Sequence, residues 1–238
     1  PGGPAFDWVE IGGIGTKLPV SGDDSREVDL PFEFPFYGDA KTSIRICSDG
    51  YLTFGTKGNA YTNVAIPNPA EPNDMMAVYW DDLNPPSAPA DGGVFYYHDA
   101  VNNRFVVQWN KVPRYYNNGQ YTFQAILYPN GAMVYQYLNM EFASATYAKD
   151  GTIGVENATG TDGLQVLHNT EGYMHNNLAI RIKPISWMSV WPNEGELAPG
   201  ESMDLDVTFD LALIGSGTLD GAVVLDTNDI RKPKTIVP

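Results

Sequence analysis

Apolar and polar residues alternate with a period of two along many short runs of this chain, and no stretch sustains the 3.6-residue apolar period of a helix. Met203, Leu205, Val207 and Phe209 on one face, with Asp204, Asp206 and Thr208 on the other, show the pattern in its plainest form. The alternation predicts strands near Phe6–Ile11, Glu27–Leu30, Ser43–Cys47, Tyr51–Phe54, Met76–Trp80 and Gly93–His98. Further strands follow near Phe105–Val112, Tyr121–Tyr128, Met133–Leu138, Thr152–Glu156, Leu164–Leu167 and Leu178–Ile182. Turn signals separate them: Ser48-Asp49-Gly50, Asp99–Asn103, Asn117-Asn118-Gly119, Asn130-Gly131 and Asp162-Gly163. Asn130-Gly131 is the clearest hairpin, because this pair takes positive φ at low cost. Only Tyr137–Ala148 leaves room for a helical turn or two. With 24 glycines and 18 prolines among 238 residues, many short strands mean a sandwich or a barrel: an all-β, antiparallel β-sandwich.

The pattern changes character after Pro184. Residues 185–238 carry nine acids against three bases, a net of −6, while the first 184 carry 20 against 11, a net of −9. The tail has its own strand pattern near Trp187–Trp191, Ser202–Phe209, Thr218–Leu225 and Thr235–Val237. We therefore expect a sandwich domain over 1–184 and a second β module over 185–238, with the boundary near Lys183–Ile185. The chain opens on Pro1-Gly2-Gly3-Pro4, which reads as an extended linker, and stops at Pro238 as a strand begins, so both ends read as cut. An immunoglobulin-like sandwich uses ~7 strands and ~100 residues, so the tail reads as incomplete. Its last apolar strand, Thr235, Ile236 and Val237, would be left as an open sheet edge. Such an edge invites strand addition from a neighbouring molecule, a second copy included.

The formal net charge of −15 repels a phosphate backbone and an anionic membrane surface, which argues against nucleic-acid partners. No apolar run approaches the ~20 residues of a membrane span. One cysteine, Cys47, excludes an intrachain disulfide framework and fits a bacterial or archaeal surface protein better than a small animal ectodomain.

Six blocks then occur in order: Ser48-Asp49-Gly50-Tyr51-Leu52-Thr53-Phe54-Gly55, Val78-Tyr79-Trp80-Asp81-Asp82-Leu83, Gly93-Val94-Phe95-Tyr96-Tyr97, Phe105-Val106-Val107-Gln108-Trp109, Tyr121-Thr122-Phe123-Gln124-Ala125-Ile126-Leu127 and Gly151-Thr152-Ile153-Gly154-Val155. Their order and spacing, over roughly residues 28–183, resemble the nidogen-like β-sandwich domain of extracellular matrix and secreted bacterial multidomain proteins. In the tail, Trp187–Pro192, Glu194–Gly200, Val207–Asp210 and Gly221–Asp229 resemble bacterial immunoglobulin-like modules of the BACON or ciliary-repeat type. The resemblance implies a secreted, extracellular or cell-surface location and a non-enzymatic structural or adhesive role, including that of a filament or surface-layer subunit. Protein subunits or surface proteins would be its partners. Two alternatives stay open: a glycan-binding domain using exposed Tyr and Trp, and an accessory domain of a secreted hydrolase.

Signals for chemistry are few. Gly12-Gly13-Ile14-Gly15-Thr16-Lys17 lacks the spacing of a phosphate loop and has no helix after it, so a strand-to-strand turn is the expectation. There is no GxSxG elbow and no HExxH; His98 ends an expected strand, and His168 and His175, seven apart in a loop-like stretch, read as polar loop residues and not as a zinc site. Trp80-Asp81-Asp82 is the best candidate for acid chemistry or metal. Adjacent strand residues point to opposite faces, so the two acids do not form a catalytic pair directly; the resemblance implies that they end a buried strand and bond to loop amides. A calcium site would combine Asp81 or Asp82 with Asp91 or Asp74, since hard cations want several oxygens; no other cofactor is expected. Asp23-Asp24 reads as a solvated turn, and Asp226–Asp229 as a turn with side-chain-to-backbone bonds. Tyr96, Tyr97, Tyr115, Tyr116, Tyr121, Tyr135 and Tyr137 should mostly fill the core, the rest facing outward to stack on sugars or line an interface. Asn157-Ala158-Thr159 matches an N-glycan acceptor.

Overall fold

The computed structural model describes residues 4–142, 150–184, 188–192, 195–209, 223–228, 231 and 234–237. The chain divides into two compact units, Pro1–Lys183 and Pro184–Pro238. The strands of the first are β1 Thr16–Lys17, β2 Ser25–Phe36, β3 Asp39–Cys47, β4 Tyr51–Thr53, β5 Met75–Trp80, β6 Gly93–Asp99, β7 Arg104–Arg114, β8 Asn118–Leu127, β9 Met133–Glu141, β10 Thr152–Glu156, β11 Gly163–His168 and β12 Leu178–Ile182. They form two six-stranded sheets, in the orders β1-β6-β7-β8-β9-β12 and β11-β10-β5-β4-β3-β2. Every pairing between them is antiparallel, so the fold is the expected all-β sandwich.

Period-two alternation explains what fills it. In the first sheet Phe105, Val107, Trp109, Tyr121, Phe123, Ala125, Leu127, Met133, Tyr135 and Tyr137 join Ile44, Ile46, Leu52, Met76, Val78 and Ile153 of the second in one buried core. Three donors cross that core to backbone carbonyls of the opposite sheet. Trp109 Nε1 donates to Cys47 O at 3.0 Å, Tyr137 Oη to Val78 O at 2.5 Å and Tyr135 Oη to Gly154 O at 3.4 Å. Two of the receiving carbonyls, those of Val78 and Gly154, lie where the ladder is irregular: β10 pairs Thr152 with Trp80 and Gly154 with Ala77, and the register shifts between them.

Both sheets are covered on their outer faces too, which is why alternation fails as a guide to exposure there. Over the second sheet, Ile66, Val64 and Ala60 pack on Tyr51, Met75, Ala77 and Trp80, and Trp80 Nε1 donates to Ala60 O at 2.8 Å. Over the first, Val9 and Ile11 pack on Phe95, Val106, Ile126 and Val134. The segment Phe6–Ile11, expected as a first strand, therefore belongs to neither sheet: it is extended but its backbone bonds to side chains. The allowance for a helical turn over Tyr137–Ala148 fails as far as 142, because β9 continues to Glu141; residues 143–149 lie outside those described. β2 is far longer than Glu27–Leu30, since Pro31 and Pro35 are tolerated on a sheet edge. Of the seven tyrosines, Tyr121, Tyr135 and Tyr137 are buried, Tyr96 and Tyr97 half-buried, and Tyr115 and Tyr116 exposed.

In the second unit, β13 Met188–Trp191 pairs with β14 Asp206–Phe209, and β15 Val223–Asp226 with β16 Lys234–Val237, as two separate two-stranded sheets. Part of the strand expected at Thr218–Leu225 lies outside the described residues. No helix among the described residues is long and apolar enough to cross a membrane.

Candidate functional site

Three connections and one hairpin tip meet at one end of the sandwich. β3 ends at Cys47, and Ser48-Asp49-Gly50 turns the chain into β4. Gly50 has φ +76°, and a Cβ there would lie 1.9 Å from Tyr79 O, so only glycine fits. Val78 and Tyr79 both donate their N–H to Gly50 O, at 3.2 and 2.9 Å, which draws the end of β5 onto the turn. The second connection, Ser21–Asp24, is fastened by Ser48: its N donates to Asp24 O at 2.8 Å, and its Oγ accepts from Asp24 N at 2.9 Å. The third follows β5. Leu83 N donates to Asp49 Oδ1 at 3.2 Å, and Tyr115 N donates to Asp82 O at 2.7 Å. That last bond ties in the tip between β7 and β8.

This convergence places one carboxylate oxygen from each of Asp23, Asp49 and Asp82 within 4.8 Å of one another. Their surroundings differ. Asp23 is exposed, Asp82 half-buried and Asp49 has no exposed surface. Burial, with the Asp23 and Asp82 charges beside it, pushes the Asp49 carboxyl up to about 8. The hydrogen bonds agree with a retained proton. Ser48 Oγ lies 3.0 Å from Asp24 O and 2.8 Å from Asp49 Oδ2, yet a hydroxyl has one hydrogen. A protonated Asp49 donates to Ser48 Oγ, which then donates to Asp24 O, and every group is satisfied.

The four aspartates expected around calcium do not form a group among the described residues. Asp74 precedes β5 and Asp81 follows it, so six strand residues, roughly 20 Å, separate them. Asp74 accepts from Lys41 Nζ at 2.8 Å, and Asp91 is paired with Lys111. Asp81 is buried and accepts from Arg114 Nε at 2.9 Å, with Asp150 3.6 Å from the same guanidinium; its other oxygen accepts Asp82 N at 2.8 Å. Asp82 alone belongs to the three-carboxylate group. Sequence reasoning misses Asp23 and Asp49: Asp23-Asp24 looks like a solvated turn, whereas both of its residues are part of this junction. The available signal is two turn-forming acids, Asp23 and Asp49, on connections that lead into β2 and β4, the two strands that flank β3 in one sheet.

Chemically, Asp23, Asp49 and Asp82 offer hard oxygens that could hold a divalent cation. They do not offer an acid–base pair to a substrate, because the raised carboxyl, Asp49, is enclosed by Ser48 and Leu83. Arg114 is committed to Asp81 and Asp150. Beside the acids, the Tyr115 and Tyr116 rings lie 4.4 Å apart, and Tyr116 is 79% exposed at φ +66°. Elsewhere, His168 Nδ1 lies 3.0 Å from Thr152 Oγ1, and His98 and His175 are exposed. Asn157 Oδ1 accepts Thr161 N at 3.0 Å within its own turn. Gly12–Gly15 is a turn into β1, but it leaves a segment outside both sheets instead of joining two strands as expected; Gly15 N donates to Ile11 O at 2.7 Å. Burial pushes the Cys47 thiol up, away from reactivity.

No solved structure matches the chain. Residues 5–190, most of the chain and all the strands of the sandwich, match the family described as NIDO related. On that match over most of its length, the chain belongs to the NIDO related family.

Proposed function

We propose that this chain is a non-enzymatic extracellular module with a structural or adhesive role, and that residues 185–238 are the part that contacts another protein subunit. Membership of the NIDO related family supports the extracellular context. One observation carries the assembly reading: among the residues of the second unit whose exposure is described none is buried, while Trp191 is 71% exposed, Ile236 60% and Val237 50%. A two-stranded sheet is at best marginally stable alone in water, and needs further strands or a packed face. Two such sheets carrying bare apolar side chains, Phe209 among them, are the condition that a partner surface relieves. The likeness of this tail to bacterial immunoglobulin-like modules is consistent with a unit completed by strand addition at Thr235, Ile236 and Val237.

The test is sedimentation velocity of the chain beside Ile236→Asp and Val237→Asp. A fall in associated mass from the unaltered chain to both variants, with the sandwich still folded, supports the reading. A monomer at every concentration and salt, with the Thr235–Val237 amides protected from exchange, overturns it.

A further inference from the structure

Three glutamines stand side by side on the outer face of the first sheet. Gln108 on β7 is paired in register with Gln124 on β8, and Gln124 with Gln136 on β9. All are buried, at 0, 0 and 1% exposure. Uncharged amides hidden on the outside of a sandwich need partners, and the first segment of the chain supplies them. Asp7 N donates to Gln136 Oε1 and Gln136 Nε2 donates to Asp7 O, both at 2.6 Å. In the amide orientation that matches donors to acceptors, Gln124 Nε2 donates to Val9 O at 3.0 Å and its Oε1 accepts Val9 N at 3.1 Å. Ile11 N donates to Gln108 Oε1 at 3.2 Å, and Gln108 Nε2 donates to Glu10 Oε1 at 3.0 Å. Residues 7, 9 and 11 thus each meet one glutamine, and Asp7 and Val9 are each held by both their N–H and their C=O, as a strand edge would hold them. Alongside, Val9 and Ile11 press on Val106, Ile126 and Val134.

The recognition is of extended backbone, with apolar side chains accepted at two alternate positions. The segment shares no ladder with either sheet, so it sits on this face as a ligand would, joined to β1 by Gly12-Gly13-Ile14-Gly15. A ligand that is part of the chain is also present on every neighbouring copy. Exchange between copies conserves each bond above and changes only the path of the glycine-rich connection.

We infer that the face of Gln108, Gln124 and Gln136 is an acceptor groove for an extended peptide, and that residues 7–11 of a second copy of this chain occupy it in place of the chain's own. This surface lies in the sandwich and is independent of the contact proposed for residues 185–238.

Two full-chain variants, each also carrying Ile236→Asp to remove the other contact, separate the two halves. Val9→Pro with Ile11→Pro removes the N–H donors to Gln124 and Gln108 and leaves the groove. Gln124→Ala with Gln136→Ala removes two amides and leaves the segment. Each alone should sediment as a monomer, and their mixture as a one-to-one complex of twice the mass. A mixture that stays monomeric while both variants keep their circular dichroism overturns the inference. If either variant unfolds, the unaltered chain is refolded with excess labelled peptide of residues 4–13. Retention of that peptide, with about a hundredfold weaker retention of one N-methylated at Val9 and Ile11, supports the groove. Equal retention of both peptides, or retention of neither, overturns it.

Discussion

Asp49 holds a proton where an ordinary aspartate has lost it, and this has a consequence for stability against pH. Its folded pKa is about 8 against an ordinary 3.8. Between those values the folded chain binds a proton that the unfolded chain has released, so stability is fully present below about pH 4 and falls as pH rises through about 8. Glu156, pushed up by burial to about 7 from 4.5, acts in the same direction over a lower window. Asp24, on the other side of Ser48, works the other way. Its contacts with Ser21, Arg26 and Ser25 outweigh desolvation and hold it at about 2, so its contribution is lost only as pH falls through that value. Asp49→Asn keeps a donor toward Ser48 Oγ and an acceptor for Leu83 N without a titratable proton. The unaltered chain should lose on the order of a few kcal/mol between pH 5 and 9, and Asp49→Asn should stop losing stability above about pH 7, because Glu156 then remains the group that titrates and its window closes there. Urea unfolding midpoints across that range check it; parallel curves for the two chains would contradict it. The Ser48-Asp49-Gly50 turn was legible in the sequence because Asp-Gly is turn chemistry. The proton was not, since it depends on burial and on the Asp23 and Asp82 charges, which only the fold brings beside Asp49.

At the scale of elements, strand position was legible wherever alternation had a backbone partner and turn residues at its ends, as in β6, β10 and β12. It was illegible where side chains substitute for a ladder: Phe6–Ile11 alternates like a strand because Gln108, Gln124 and Gln136 demand the same extended geometry. The cross-core donors were equally hidden, since a tyrosine in a strand gives no sign of whether its hydroxyl finds a carbonyl. Tyr137 shows what is at stake. Its hydroxyl donates to Val78 O, and Val78 sits opposite the irregular stretch of β10 between Thr152 and Gly154. Tyr137→Phe keeps the ring that packs against Phe123 and removes only this bond. The expected loss is about 1–3 kcal/mol, the cost of a buried acceptor left without its donor. Chemical denaturation of the two chains with unchanged m-values measures it; a loss below about 0.5 kcal/mol, the low end for a single hydrogen bond, would mean that Val78 O is satisfied in another way.

Charge governs the behaviour of the whole molecule. A net of −15 is carried by a chain whose ion pairs are mostly at or near the surface, such as Arg26 with Asp24, Arg45 with Glu27 and Lys111 with Asp91. Exposed pairs contribute little individually and are weakened by salt. The excess of acids over bases repels over a longer range, and the Debye length shrinks from about 30 Å at 0.01 M to about 10 Å at 0.1 M salt. The long-range repulsion therefore falls more than the short-range pairing. For association the imbalance is greater, because residues 185–238 bring a net of −6 to a contact while the apolar side chains that would be buried, Trp191, Phe209 and Ile236, are unaffected by screening. Two copies should associate more tightly as salt rises, the reverse of a contact built on ion pairs. Sedimentation velocity of the unaltered chain between low and physiological salt should show the associated fraction rising, with the contact through residues 185–238 absent from Ile236→Asp at every salt. Association that weakens with salt would assign the contact to charge pairing and remove the apolar face of β16 from it.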